Sequence, residues 1–123
     1  MASCIGAPFA GFHKTRLGDR AVRVEPPDLR PYAGRQPVLV DDIVSSGRTL
    51  VEAARHLASS GFPEPVCAVT HALFADGAHE ALLDAAAKIV SCDTVTHPSN
   101  GISVSREVGA AAIHLQRSKD LGM

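Results

Sequence analysis

The stretch from Val38 to Ala58 constrains the fold most. Val38, Leu39 and Val40 form a short, unbroken apolar run, as in strands covered on both faces in parallel sheets. Asp41 and Asp42 follow, then a serine- and glycine-containing turn. From Thr49 the apolar period becomes helical, with Leu50, Ala53, Ala54, Leu57 and Ala58 on one face. Gly61 stands where a helix C′ residue belongs, and Pro63 prevents continuation. The pattern then repeats. Val66 to Thr70, within PVCAVTHALF, reads as a buried strand. Asp76 is expected to N-cap a helix running to about Ala87. KIVSC reads as another strand, DTVTHPSNG as a loop, ISVS as a short strand and REVGAAAIHL as a final helix. This alternation predicts an α/β fold: three layers, with a mostly parallel sheet flanked by helices.

Upstream, CIGAPFAGFH (4–13) is apolar with small residues and is expected to be a strand. KTRLGDR reads as a mobile loop or hairpin tip. AVRVEP alternates Val22 and Val24 with Arg23 and Glu25, the pattern of a half-buried strand. PPDLRPYAGRQP is a connector. A strand pair carrying a mobile loop is therefore expected ahead of the sheet, the whole of 1–123 forming one domain. The net charge of −1 gives no electrostatic case for nucleic acid or anionic lipid. No apolar run approaches the roughly 20 residues of a spanning helix, and Met1 to Phe12 lacks the pattern of a signal peptide. Cys4, Cys67 and Cys92 are odd in number, widely spaced and without a CxxC pair. They read as reduced small hydrophobes of a cytoplasmic protein.

Ligands of open α/β sheets bind outside the carboxyl ends of the strands, where Asp41 and Asp42 are expected to lie. Behind them Ser45, Ser46, Gly47, Arg48 and Thr49 lead into a helix N-terminus, whose free N–H groups and dipole favour an anion. Ser46 and Thr49 add hydroxyl donors, and Gly47 permits a tight turn and close approach to the backbone. Two carboxylates repel a phosphate, but they accept hydrogen bonds from vicinal hydroxyls nearby. A sugar phosphate meets both demands. The plainer reading is that Asp42 merely ends a strand and Thr49 merely caps a helix. The order of strand, acids, loop and helix favours the ligand.

VLVDDIVSSGRTL resembles the phosphoribosyl pyrophosphate (PRPP) motif of the type I phosphoribosyltransferase fold. Within that fold the chain is similar to the ribose-phosphate pyrophosphokinase family. HKTR at 13–16 resembles that family's catalytic flexible loop, VTHALF its strand ending in a threonine–histidine pair, and CDTVTHPSNGISV its late loop and last strand. The resemblance implies that Lys14 is the catalytic lysine and Arg16 its partner on the mobile loop. It implies that Asp41 holds a ribose hydroxyl with Asp42 beside it, and that Ser45, Ser46, Gly47, Arg48 and Thr49 bind the 5-phosphate of ribose 5-phosphate. The implied reaction moves the β,γ-diphosphate of ATP to the anomeric hydroxyl, giving AMP and PRPP with Mg²⁺. Cations around the transferring phosphorus stabilise its charge, and a mobile loop can deliver them while excluding water.

Two positions depart from the family. Ser45 stands where many members have an acid, and Arg48 where glycine is frequent. The resemblance covers only the second of the family's two tandem domains. The first carries the adenine-binding residues and the main Mg²⁺ ligands, so this chain alone is not expected to be a competent pyrophosphokinase. A homo-oligomer is implied, as is apolar surface that a first domain would cover. Two other readings remain: a phosphoribosyltransferase that consumes PRPP, and a non-catalytic ribose-phosphate-binding module associated with the synthetase.

Six histidines, His13, His56, His71, His79, His97 and His114, show no HxH or HExxH spacing, so no metal site is expected. His71 follows a strand; approach to the site and a capping or core role stay open. His56 and His79 read as helix-surface positions, and Glu80 and Asp84 as a solvated face. Asp93 and Thr94 are expected on the same sheet edge as Asp41. Ser99, Asn100 and Gly101 read as turn chemistry.

Overall fold

The computed structural model describes residues 2–18, 22–120 and 122. A 3₁₀ turn at Ala2–Ile5 precedes β1 (His13–Arg16) and β2 (Val22–Glu25). A second 3₁₀ turn, Arg30–Tyr32, leads to β3 (Val38–Val44), α1 (Arg48–Ser59), β4 (Val66–Ala72), α2 (Ala78–Leu83), β5 (Lys88–Cys92), β6 (Asn100–Ile102) and α3 (Ser105–Asp120). Strands β3 to β6 form one parallel sheet in the order β3-β4-β5-β6, while β1 and β2 form a separate antiparallel pair. The expected α/β class, with a mainly parallel sheet flanked by helices, is what the chain adopts.

The core follows from the apolar periods. Leu39, Cys67 and Ile89 are register partners across three strands. They pack with Val69 beneath Leu50, Ala53, Ala54 and Leu57 of α1, and with Leu82 and Ala86. The alanines let α1 lie close to the sheet. Cys67 is fully buried, and burial pushes its thiol up to about 11, so it behaves as a small inert hydrophobe. Cys4 and Cys92 are also free. Helix α1 ends as its sequence predicts. Gly61 has φ +82°, its N–H donates to the Ala58 carbonyl, and the Phe62 N–H donates to that of Leu57, both at 3.0 Å. This is a Schellman motif, with Phe62 packed on the core.

Several boundaries differ from expectation. Residues 4–13 are not a strand: Ala2–Ile5 is 3₁₀ and only His13 enters β1. Apolar content alone makes no strand without a partner, and this segment contains Pro8 and a left-handed Gly6. HKTR, expected in a loop, is itself β1, because the alternating VRVE segment pairs with it: Lys14 opposite Val24 and Arg16 opposite Val22. The remainder of the expected loop runs into Asp19 and Arg20, which lie outside the described residues. The N-cap of α2 is Gly77 at φ +76°, not Asp76, and this helix stops at Leu83. Beyond it the Ala87 N–H donates to the Pro65 carbonyl, at 2.9 Å, drawing the chain back toward the sheet.

Both α1 and α2 serve the core side of the sheet. On the other side, Val38 and Val40 are 57% and 52% exposed. Helix α3 buries none of its residues, and Val108, Ile113 and Leu115 are exposed. Among the described residues, no helix is long and apolar enough to cross a membrane.

Candidate functional site

The acidic pair lies within β3 rather than at its end, because the strand continues to Val44. Asp41 pairs with Val69, Ile43 with His71 and Val44 with Ala72. The β4–β5 pairing stops at Val69–Ser91, so the acids stand where the sheet narrows toward β3 and β4. The two carboxyl groups are close enough to interact with each other. The Asp42 N–H donates to Asp41 Oδ1 at 2.9 Å, and the Ile43 N–H donates to Asp42 Oδ1 at 2.8 Å. Burial raises the Asp41 carboxyl above the usual range, and the Asp42 N–H, followed by the nearby positive charge of Lys14, partly offsets this. Asp42 is held below the usual range, first by the Ile43 N–H and then by its interaction with Asp41.

Ser45 and Ser46 turn the chain, and Gly47 starts α1 with φ +71° and no side-chain cap. The first helical bond runs from the Val51 N–H to the Gly47 carbonyl, at 2.9 Å. The N–H groups of the first turn therefore have no carbonyl partner within the helix. The segment after β4 braces this loop from behind: the Leu73 N–H donates to the Val44 carbonyl (3.1 Å) and the Ala75 N–H to that of Ser45 (2.9 Å). A Cβ on Gly47 would sit 3.5 Å from the Ala78 carbonyl oxygen.

An open cleft of about 190 Å³ is lined by Lys14, Asp41, Ile43, Val44, the whole loop Ser45–Thr49 and Leu50. Thus a cation from β1, a carboxylate from β3 and a helix N-terminus meet in one place. Arg16 and Asp42 are not part of this lining. Arg16 lies two residues along β1 from Lys14, hence on the same side of that strand. Asp42 lies within electrostatic range of the His71 ring.

One positioning residue escapes the sequence reading. His56, expected on the helix surface, is half-buried, and its Nε2–H donates to the Val24 carbonyl at 3.0 Å. Val24 is itself buried and is the register partner of Lys14. His56 therefore pins to α1 the strand pair that carries the lysine. The available signal was its place between Ala53 and Leu57 on the apolar side of the helix. His79 is likewise not a simple surface residue: its ring meets Phe74 and His97 edge-on, at centroid distances of 5.0 and 4.7 Å. Burial, and then the charge of His79, lowers the His97 imidazole. Asp93 accepts the Val104 N–H at 3.0 Å and so holds the approach to α3. Asn100 locks its turn by donating to Ser91 Oγ and to the Cys92 and Val95 carbonyls. Among the described residues, no three His, Cys, Asp or Glu side chains converge to hold a metal ion.

The phosphoribosyl transferase domain model matches residues 1–108, and the chain belongs to that family. Its curated relatives carry a more particular name, ribose-phosphate pyrophosphokinase. The protein of that name from Methanopyrus kandleri is 37% identical over 94% of this chain and 40% of its own length. Those from Pyrococcus furiosus and Thermococcus kodakarensis are 31% and 32% identical, each over 88% of this chain and 38% of its own length. The chain therefore spans about two-fifths of the length of these relatives, corresponding to their C-terminal part.

Proposed function

We propose that this chain is the sugar-phosphate-binding part of a ribose-phosphate pyrophosphokinase, which transfers diphosphate from ATP to ribose 5-phosphate to give PRPP and AMP. The observation that carries the reading is the meeting of Lys14, Asp41 and the loop Ser45–Thr49 in one cleft, in a chain whose relatives bear that enzyme's name. The loop takes the 5-phosphate through Ser46, Thr49 and the first-turn N–H groups. Arg48, exposed at the mouth, adds charge. Asp41 and Asp42, adjacent on β3, accept sugar hydroxyls. Lys14, with Arg16 two residues on, supplies positive charge where the transferring phosphorus loads charge onto its oxygens.

Among the described residues, no cluster of His, Cys, Asp and Glu side chains composes a site for Mg²⁺. We assign most of its ligands, and the adenine site, to the part of the relatives that this chain does not match. The apolar side of the sheet carrying Val38 and Val40, with the unburied α3, supports a further domain or a second copy as its cover. Three free cysteines support a cytoplasmic setting.

Incubated with ATP and ribose 5-phosphate, the chain alone should release no AMP. Release that depends on both would place the ATP site within these 123 residues. Pyrophosphate release from PRPP that depends on an added nucleobase would replace this reading with a PRPP-consuming transferase.

A further inference from the structure

We infer that His71 is a third hydrogen-bond acceptor at the sugar end of the site, presenting a bare Nε2 because Thr94 sets its tautomer. The inference rests on reading the cleft as a ribose 5-phosphate site. Thr94 Oγ1 lies 3.0 Å from the Thr70 carbonyl oxygen and 2.8 Å from His71 Nδ1. A carbonyl only accepts, so the single hydroxyl proton of Thr94 goes to Thr70. The hydroxyl oxygen then has only lone pairs to offer, and Nδ1 must carry the proton and donate it. In the neutral ring this leaves Nε2 as an acceptor.

The position suits a sugar. His71 is the register partner of Ile43, which lines the cleft and follows Asp42 in the chain. Each aspartate already gives one oxygen to a backbone N–H, so further acceptor capacity for a polyol is useful here. Another carboxylate would add repulsion to a pair that already shares the site unevenly. A neutral imidazole accepts a hydroxyl without adding negative charge.

The test uses the whole chain with ¹⁵N-labelled imidazoles at about pH 8, where an ordinary imidazole is neutral. The His71 resonances should report protonated Nδ1 and unprotonated Nε2, and Thr94→Val should abolish that preference. Ribose 5-phosphate should shift the Nε2 resonance, and inorganic phosphate should not. His71→Asn, which leaves nothing at the Nε2 position, should weaken ribose 5-phosphate binding about tenfold and leave inorganic phosphate unchanged. His71→Gln, whose amide oxygen reaches that position, should recover most of the loss. A protonated Nε2 in the wild-type chain overturns the inference. So does a His71→Asn chain with unchanged affinity, or one that loses inorganic phosphate equally, which would mean that His71 only braces the loop. If wild-type chain binds ribose 5-phosphate no better than inorganic phosphate, the reading of the cleft itself falls, and the inference with it.

Discussion

Asp41→Asn should weaken ribose 5-phosphate binding by about 10- to 100-fold, the loss of roughly 1.5–3 kcal/mol for a hydrogen bond to a charged acceptor. It should do so without destabilising the fold. The asparagine carbonyl can still accept the Asp42 N–H that Asp41 Oδ1 accepts at 2.9 Å. The substitution removes a carboxylate that burial and a neighbouring acid already disfavour. The sign with pH follows. A carboxyl raised in the folded chain contributes most below its unfolded value and loses that contribution as pH rises through its folded value. Asp42, lowered in the folded chain, behaves oppositely: its contribution is present above the usual carboxylate range and is lost as pH falls. Thermal unfolding should therefore show Asp41→Asn gaining on wild type as pH rises past the acidic range. Calorimetric titration should show it losing the sugar. A residue whose ionised form costs stability and serves only binding is expected at a functional site. An Asp41→Asn chain that is less stable at neutral pH and binds normally would make Asp41 a structural residue.

Gly47→Val should be the most damaging single change in the loop. Gly47 has φ +71°, and a β-branched residue held in that region costs about 2–3 kcal/mol. The Cβ alone would meet the Ala78 carbonyl oxygen in ordinary contact at 3.5 Å, but the γ-methyls need space beyond it. Relief would require the turn to move away from the segment that braces Ser45. The same change should therefore lower denaturant stability and abolish binding of both ribose 5-phosphate and inorganic phosphate. A Gly47→Val chain of wild-type stability would mean that the turn adopts another conformation, with φ negative.

The periodic elements were legible in the sequence because packing and period agree there. The helical face Leu50, Ala53, Ala54, Leu57 is the face that α1 buries, and Gly61 ends that helix by its own backbone freedom. The elements that were not legible depend on partners. Asp41 and Asp42 interrupt the apolar run, so β3 looks finished at Val40. Pairing with Val69 to Ala72 carries it on to Val44. HKTR has no apolar pattern and all four of its residues are exposed, yet it is a strand because VRVE lies beside it. CIGAPFAGFH has the apolar content and no such neighbour. At the site, the loop and Asp41 were readable as a local motif. That Lys14 joins them depends on His56 holding Val24 across 32 residues of sequence, which no local pattern displays.

The most direct measurement is a calorimetric titration of ribose 5-phosphate into the chain, beside one of inorganic phosphate. The account predicts a single saturable site that takes ribose 5-phosphate at least about tenfold more tightly, because the hydroxyl acceptors on β3 add to what the loop gives the phosphate. Equal affinity for the two, or no binding by a chain shown to be folded by circular dichroism, would contradict it.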